Sequence, residues 1–273
     1  MTSSLWHAHG NEYVVAEGDY EMAGDGALEV ERVDGDDVYV TIRNPDGSVA
    51  EMSGNGTRIA GAWLMERTGH DVAHVHVGPL AVEVRRAGGH YASDMGEVRV
   101  FPRETVDGIE LTRVVVGNPH AVVVGDPAEL DAIGPLLETH PHFPNRTNVQ
   151  IARVDAPGEV TARVWERGVG ETTASGSSAV AVAAATHGEG DVLVHFPGGD
   201  LRVELRGGRA TLIGPAEPRS LAISYSRSTS LSDVFMSVCS LRLPMISAQP
   251  TWYVPAGNSF GRVPGTTTEY GGT

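Results

Sequence analysis

The sequence predicts a mixed α/β (α+β) fold built from two half-similar units, and three observations carry that prediction. Gly 34 and Pro 16 in 273 residues punctuate the chain with turns, so its strands are many and short. Between those turns run short segments of alternating apolar and polar residues, the period of a half-buried strand. Two apolar, small-residue segments break that rhythm, and each is entered through a hydroxyl residue followed by glycine. These are Ser53-Gly-Asn-Gly before Ile59–Met65 and Ser175-Gly-Ser-Ser before Ala179–Ala185.

Taken in order, residues 5–16 read as a strand turned at a Gly-Asn corner, with His7 and His9 on one face of the extended segment. Gly24-Asp-Gly26 is a turn, and strands 27–33 and 38–42 form a hairpin about Asp34-Gly-Asp-Asp37. Asn44-Pro-Asp-Gly turns the chain into the first helix, which Gly69 ends as a C′ residue. Residues 72–86 form two strands about Gly78-Pro79, and 91–100 form another. A unit boundary is expected at 104–110, dividing the chain into 1–107 and 108–220. The second unit starts with strand 111–116, a break at Gly117-Asn-Pro-His120, and strand 121–124. A helix over 127–137, capped by Asp126, and the loop 140–147 follow. Strands 148–153 and 159–166 lead to the second hydroxyl-glycine entry, and strands 191–196, 200–205 and 209–213 close the unit. Residues 221–225 are expected to return to the first unit as a strand. Residues 226–273 are an irregular extension rich in Ser, Thr, Gly and Pro.

Composition excludes several classes. A net charge of −15 leaves no basic surface for nucleic acid. No apolar run of spanning length exists, so no membrane helix is expected. The first residues lack a basic n-region and an apolar h-region, so no secretory signal is expected there and the cytoplasm is the expected compartment. The single cysteine, Cys239, excludes an intrachain disulfide and a cysteine-rich metal site.

The two helix entries carry the chemistry. The first turn of a helix presents unpaired N–H groups and a partial positive charge, which attract carboxylates. Two such mouths facing each other make a doubly positive cleft floor. A small carboxylate held there has one side chain from each half beside it, Ser53 and Ser175. That geometry suits two-base proton transfer at the carbon next to the carboxylate. Read alone, each stretch is also a glycine turn with an N-cap serine and a buried helix.

The ordered motifs resemble the diaminopimelate epimerase family, within the cofactor-independent amino-acid racemases. His9-Gly-Asn-Glu-Tyr13 is similar to its N-terminal His-Gly-…-Gly-Asn-Asp-Phe motif, and Gly24-Asp-Gly26 to its Gly-Ala-Asp-Gly turn. Asn44-Pro-Asp-Gly-Ser48 through Glu51-Met-Ser-Gly-Asn-Gly56 resembles Asn-Ala-Asp-Gly-Ser…Glu-Met-Cys-Gly-Asn-Gly. Gly117-Asn-Pro-His120 and Phe143-Pro-Asn-Arg-Thr-Asn148 resemble two substrate-binding motifs. Val164-Trp-Glu-Arg-Gly through Ala174-Ser-Gly176 resembles the segment that ends in Ala-Cys-Gly. The likeness covers residues 5–222.

The resemblance implies two pseudo-symmetric domains, each a mostly antiparallel sheet wrapped around a central helix, with the active site in the cleft between them. It implies an isomerase that inverts the α-carbon of an amino acid without pyridoxal phosphate, other cofactor or metal. Its partner would be a small-molecule amino acid or related carboxylate, and a two-fold dimer is the default assembly. Asn11, Asn44, Asn118, Asn148, Glu166 and Arg167 would recognise the substrate's polar groups. The N–H groups of Gly54, Asn55, Gly176 and Ser177 would hold its α-carboxylate, and Ser53 and Ser175 would take the acid/base positions.

Three departures stand out. The family's two catalytic cysteines are serines here, and a serine hydroxyl is far less acidic than a thiol. The segment between Ala16 and Gly24 is shorter than the family's, which carries a helix there. Residues 226–273 have no recognised counterpart. The serines are consistent with a substitution that traps substrate, or with a natural relative whose base is His9, His120, Glu51 or Glu166. A double-bond isomerase or hydro-lyase, and a non-catalytic amino-acid-binding relative, are the alternative readings.

Overall fold

The computed structural model describes residues 2–50 and 52–219; Glu51, the expected strand 221–225 and the extension 226–273 lie outside the described residues. The described residues all fall in one compact unit.

The first half begins with β1 (Thr2–Ala8) and β2 (Asn11–Glu17), antiparallel about a two-residue turn. His9 and Gly10 occupy that turn at φ 52° and 80°, the left-handed pair a type I′ hairpin requires. β2 then pairs in parallel with β3 (Gly26–Asp34), which is antiparallel to β4 (Asp37–Arg43). A tight turn with Gly47 N–H on Asn44 O leads to β5 (Val49–Ala50). Helix α1 (Gly54–Thr68) follows, ending where Gly69 adopts φ 77° and donates to Met65 O. β6 (Val72–Val77), β7 (Leu80–Ala87), β8 (His90–Glu97) and β9 (Arg99–Val100) complete the half, with β6 parallel to β4.

β10 (Glu104–Val106) and β11 (Ile109–Val116) are a hairpin, so the expected connection at 104–110 is itself paired strand. β12 (Asn118–Val124) includes Asn118, Pro119 and His120, so the expected break at this motif is confined to Gly117, at φ 71°. Asp126 caps a 3-10 turn at Pro127–Glu129 through Ala128 N–H, and α2 (Leu130–Glu138) continues from it. β13 (Asn148–Ala156) lies parallel to β12; β14 (Glu159–Glu166) and β15 (Gly170–Thr172) follow, β15 unforeseen. Then come α3 (Gly176–Thr186), β16 (Gly190–Phe196), β17 (Gly199–Arg206), β18 (Arg209–Gly214) and β19 (Glu217–Pro218).

The pairings of the halves correspond. β2 parallel to β3 matches β12 parallel to β13, and β4 parallel to β6 matches β14 parallel to β16. β19 pairs with β1 as β9 pairs with β11, so the chain returns to the first half at Trp6 and His7. β8 and β18 join the halves antiparallel, from Tyr91 opposite Gly214 to Glu97 opposite Arg209.

Each helix fills one core. Ile59, Leu64 and Met65 of α1 pack with Leu28, Ile42, Val75 and Val84, all essentially unexposed. Val180 and Val182 of α3 pack with Val160, Val164, Val194, Leu201 and Val203. α1 approaches β7 closely at Gly61, where a Cβ would stand 2.6 Å from that of Val84.

The halves differ at one layer. α2 crosses between β12 and β13 and covers a third core of Leu111, Leu130, Leu137, Val149 and Ile151. Between β2 and β3 no helix stands; only a small cluster of Val14, Ala16 and Ala27, with Leu5 and Tyr20, occupies the corresponding place. No helix of the described residues is long and apolar enough to cross a membrane, which says nothing of strands.

Candidate active site

The two helix mouths meet. A Cβ built on Gly54 would lie 3.3 Å from Gly176 Cα and 3.5 Å from Ser177 N. Above this junction opens a cleft of about 850 Å³. Of the residues expected to form the site, Asn11, Asn44, Ser53, Gly54, Asn55, Asn118, Glu166, Arg167, Ser175, Gly176 and Ser177 line it.

Both serines are helix N-caps in extended conformation, but their hydroxyls do different things. Ser53 Oγ accepts from Gly56 N–H at 3.0 Å and lies 3.1 Å from Tyr13 Oη. Ser175 caps nothing with its side chain; its hydroxyl donates to Glu166 Oε2 at 3.4 Å. Glu166 Oε1 accepts from Thr172 Oγ1 at 2.5 Å. Burial pushes the Glu166 carboxyl up, against the smaller pull of these two hydroxyl donors.

A chain of side chains supports the α1 mouth. Asn55 Nδ2 donates to Asn11 Oδ1 at 3.2 Å, and Asn11 Nδ2 to Asp25 Oδ2 at 3.0 Å. Behind Asn55 stands Arg58, fully buried, donating to Asn55 Oδ1 at 2.8 Å and to Pro215 O at 2.9 Å. Burial pulls its pKa down to about 10, so the guanidinium stays charged at neutral pH. Among the described residues it has no carboxylate partner.

The Arg167 side chain, exposed, donates one long bond of 3.4 Å to Asn145 O and makes no ion pair among the described residues. Glu171 pairs instead with Arg163 at 2.8 Å. The Arg167 segment is held from behind: Glu138, buried at the end of α2, accepts from Gly168 N–H at 2.6 Å and from Trp165 Nε1 at 3.0 Å.

Three expected site residues do not line the cleft. Asn148 is buried, spanning Arg167 N–H at 2.9 Å and Pro119 O at 2.9 Å, so it positions the wall. His120 is buried, its Nδ1 bonded to Gln150 Nε2 at 3.0 Å and its Nε2 to Asn118 Oδ1 at 2.8 Å. Since the amide N–H donates, Nδ1 is the acceptor and Nε2 carries the proton. Desolvation takes its pKa down to about 3, so it is neutral and its work is to fix Asn118 with the amide donors free. His9 sits in the β1–β2 turn against β17, where a Cβ on Gly199 would fall 2.1 Å from its Nδ1. Neither histidine is placed as a base in the cleft, and Glu51 lies outside the described residues. The residues missed from sequence were Tyr13, Asp25, Arg58, Glu138 and Thr172; each acts through a partner distant in sequence or hidden by burial. Among the described residues no group of three or more His, Cys, Asp or Glu is arranged to hold a metal ion.

A pair of sheet-wrapped helices meeting mouth to mouth over a cleft is the fold of the epimerase-like proteins. In solved structures the fold recurs in a hydroxyproline epimerase from Agrobacterium vitis with bound trans-4-hydroxy-L-proline (TM-score 0.61, 15% identity, 80% of this chain and 89% of that one). It recurs also in a phenazine biosynthesis protein from Enterococcus faecalis (TM-score 0.61, 11% identity, 80% and 96%). The diaminopimelate epimerase family model matches residues 14–101 and 112–217, and the chain belongs to that family of isomerases. The diaminopimelate epimerase of Acidothermus cellulolyticus is 40% identical over 195 residues, 65% of this chain and 64% of that protein, just under two thirds of its length. That of Desulfitobacterium hafniense is 38% identical over 234 residues, 72% of this chain and 81% of that one.

Proposed function

We propose that the chain inverts the α-carbon of diaminopimelate or a closely similar amino acid by two-base proton transfer, without pyridoxal phosphate. The observation that carries this reading is the meeting of two serine-capped helix mouths on one cleft floor. The α-carboxylate sits on the N–H groups of Gly54, Asn55, Gly176 and Ser177. Negative charge spreading from the α-carbon onto that carboxylate then develops where the helix termini are positive. The buried Arg58 charge behind Asn55 adds to that field. Ser53, from the unit taken as 1–107, and Ser175, from 108–220, flank the carbon. Arg167 and the Asn118 amide face the distal polar end, since Arg167 makes no ion pair among the described residues and its fork is held only by one long bond to Asn145 O.

Glu166 makes Ser175 usable as a base. A serine alkoxide is inaccessible near neutrality, but its proton need not leave before the carbon's does. As Ser175 Oγ takes the α-proton, its own proton passes to Glu166 Oε2, so the charge resides on carbon and the proton on a carboxylate. A carboxyl raised by burial is the better acceptor for this purpose.

A hydro-lyase or double-bond isomerase with a histidine base gains no support, because His9 and His120 are engaged away from the cleft. The decisive experiment incubates the full chain with LL- and meso-diaminopimelate, and a panel of other amino acids, in D2O. Deuterium entering the α-position with inversion supports the reading. Tight binding without exchange for every compound overturns it in favour of a binding protein.

A further inference from the structure

Tyr13 is a buried phenol that the reading above leaves unused, and it touches one of the two acid/base positions. Its Oη lies 3.1 Å from Ser53 Oγ and is in no other hydrogen bond among the described residues. The family motif it occupies ends in phenylalanine, so this hydroxyl is a property of this chain and not of the motif.

The direction of that bond follows from the surroundings. Ser53 Oγ already accepts the Gly56 N–H. Both side chains border the cleft, but Tyr13 is buried and Ser53 only half-buried, so donation by Ser53 would leave the phenolic proton with the poorer access to an acceptor. If Tyr13 donates, both hydroxyl protons are placed: the phenol's on Ser53, and Ser53's own toward the cleft that it lines. A phenol is also the stronger donor of the two. Burial holds the phenol pushed up to about 12, so it keeps its proton at rest.

The two serines are therefore polarised in opposite senses. Ser175 gives its proton to Glu166 and shows its lone pairs to the cleft. Ser53 receives two donors and shows its proton to the cleft. We infer that Tyr13 is the proton-supplying positioning residue of the Ser53 face, acting through Ser53 so that this face protonates the carbanion while the Ser175 face abstracts. This rests on the proposed α-carbon chemistry.

The step balances without an alkoxide. At Ser53 the O–H bond breaks as the C–H bond forms on the α-carbon, and the Tyr13 O–H bond breaks as a new O–H forms on Ser53. The phenolate is then reprotonated by water, and Glu166 returns its proton to water. The two ends of the relay are a carboxylate and a phenol, so the inversion that starts by abstraction at Ser175 begins from the carboxylate and phenol form, and the reverse inversion retraces the same step from the carboxylic acid and phenolate form.

Two variants separate this role from packing: Tyr13→Phe in the unaltered chain, and Tyr13→Phe combined with Ser53→Cys. A thiol needs no phenol behind it. Deuterium entry with inversion from LL- and from meso-diaminopimelate should fall about 100-fold in kcat/KM on Tyr13→Phe in the unaltered chain, by the same factor in both directions because the equilibrium between the two is fixed. In the Ser53→Cys background the same change should cost less than about threefold. Equal losses in both backgrounds would make Tyr13 a packing residue, and no loss in the unaltered chain would remove it from the mechanism. If Tyr13→Phe does not fold, the proton inventory of the unaltered chain decides. Two protons in flight bend the plot of rate against deuterium fraction, and a straight line would overturn the relay. Absence of any α-exchange in the unaltered chain would instead bring down the proposed chemistry itself.

Discussion

Gly54 and Gly176 stand backbone to backbone at the cleft floor, and the space between them is already filled. A Cβ on Gly176 would lie 3.3 Å from Gly54 Cα and 2.7 Å from Leu212 Cδ2; one on Gly54 would lie 3.3 Å from Gly176 Cα and from Met95 Cε. The two helix termini can therefore approach this closely only while both positions lack a side chain, which is what the proposed sharing of one carboxylate requires.

Gly176→Ala should destabilise by roughly 1–3 kcal/mol through overpacking, measured by denaturant unfolding. Leu212 can rotate, but the Gly54 backbone cannot, so the helices must separate by a few tenths of an ångström. Activity should fall more than stability, because misplacement at the reacting centre is costly. Combined with Gly54→Ala, the losses should be non-additive, since both changes act on one contact. Additive losses would mean that the mouths do not cooperate.

The pH dependence should report Glu166. Its carboxyl is raised by burial, so kcat/KM should rise with pH along an acid limb centred above the ordinary glutamate value of about 4.3. Because the folded value exceeds the unfolded one, this group favours the folded state at pH below its unfolded value. That contribution is lost as pH rises through the folded value. Glu166→Gln should abolish the limb, lower turnover by about 10²–10⁴, and leave stability flatter across that window. His120, neutral down to about 3, should contribute no limb near neutrality. An unchanged limb in Glu166→Gln would place the base elsewhere.

Much of this was legible in local signals. Gly69 as a left-handed terminus, Asp126 as a cap and the Asn44-Pro-Asp-Gly turn depend on a few consecutive residues, and so do the two serine-glycine helix entries. Partnerships across the chain were not legible. Tyr13 meets Ser53 across 40 residues and Arg58 meets Pro215 across 157, and nothing in the spacing of either pair announces it. His9 read as a strand residue but bends the hairpin, because the glycines at 198 and 199 leave room for it. His120 read as a base because its chemistry permits one, while burial against Gln150 forbids it. Asn148 was placed in the right wall but on the wrong side of it.

Cysteines at the two serine positions should raise the rate of α-exchange. Helix N-termini lower a thiol's pKa and a thiolate is accessible near neutrality, whereas serine depends on the Tyr13 and Glu166 hydroxyl partners. Ser53→Cys with Ser175→Cys should speed exchange at least about tenfold, and at the same time weaken the dependence on Glu166. A slower double variant would show that the cleft has been rebuilt around hydroxyls.

Arg167 should govern binding more than turnover. It makes no ion pair among the described residues, and its segment is fastened by Glu138 and Asn148 rather than by its own side chain. Arg167→Met should therefore change stability by less than about 0.5 kcal/mol. It should raise KM for diaminopimelate about 10- to 100-fold, the loss of one bidentate carboxylate contact, with a smaller change in kcat. Arg167→Lys should recover only part of this, because an ammonium cannot present the planar fork. The comparison that checks it is a matched pair of substrates, diaminopimelate and lysine, which lacks the distal carboxylate. Arg167→Met should narrow the preference between them, and a preference left intact would mean that Arg167 does not face the distal carboxylate.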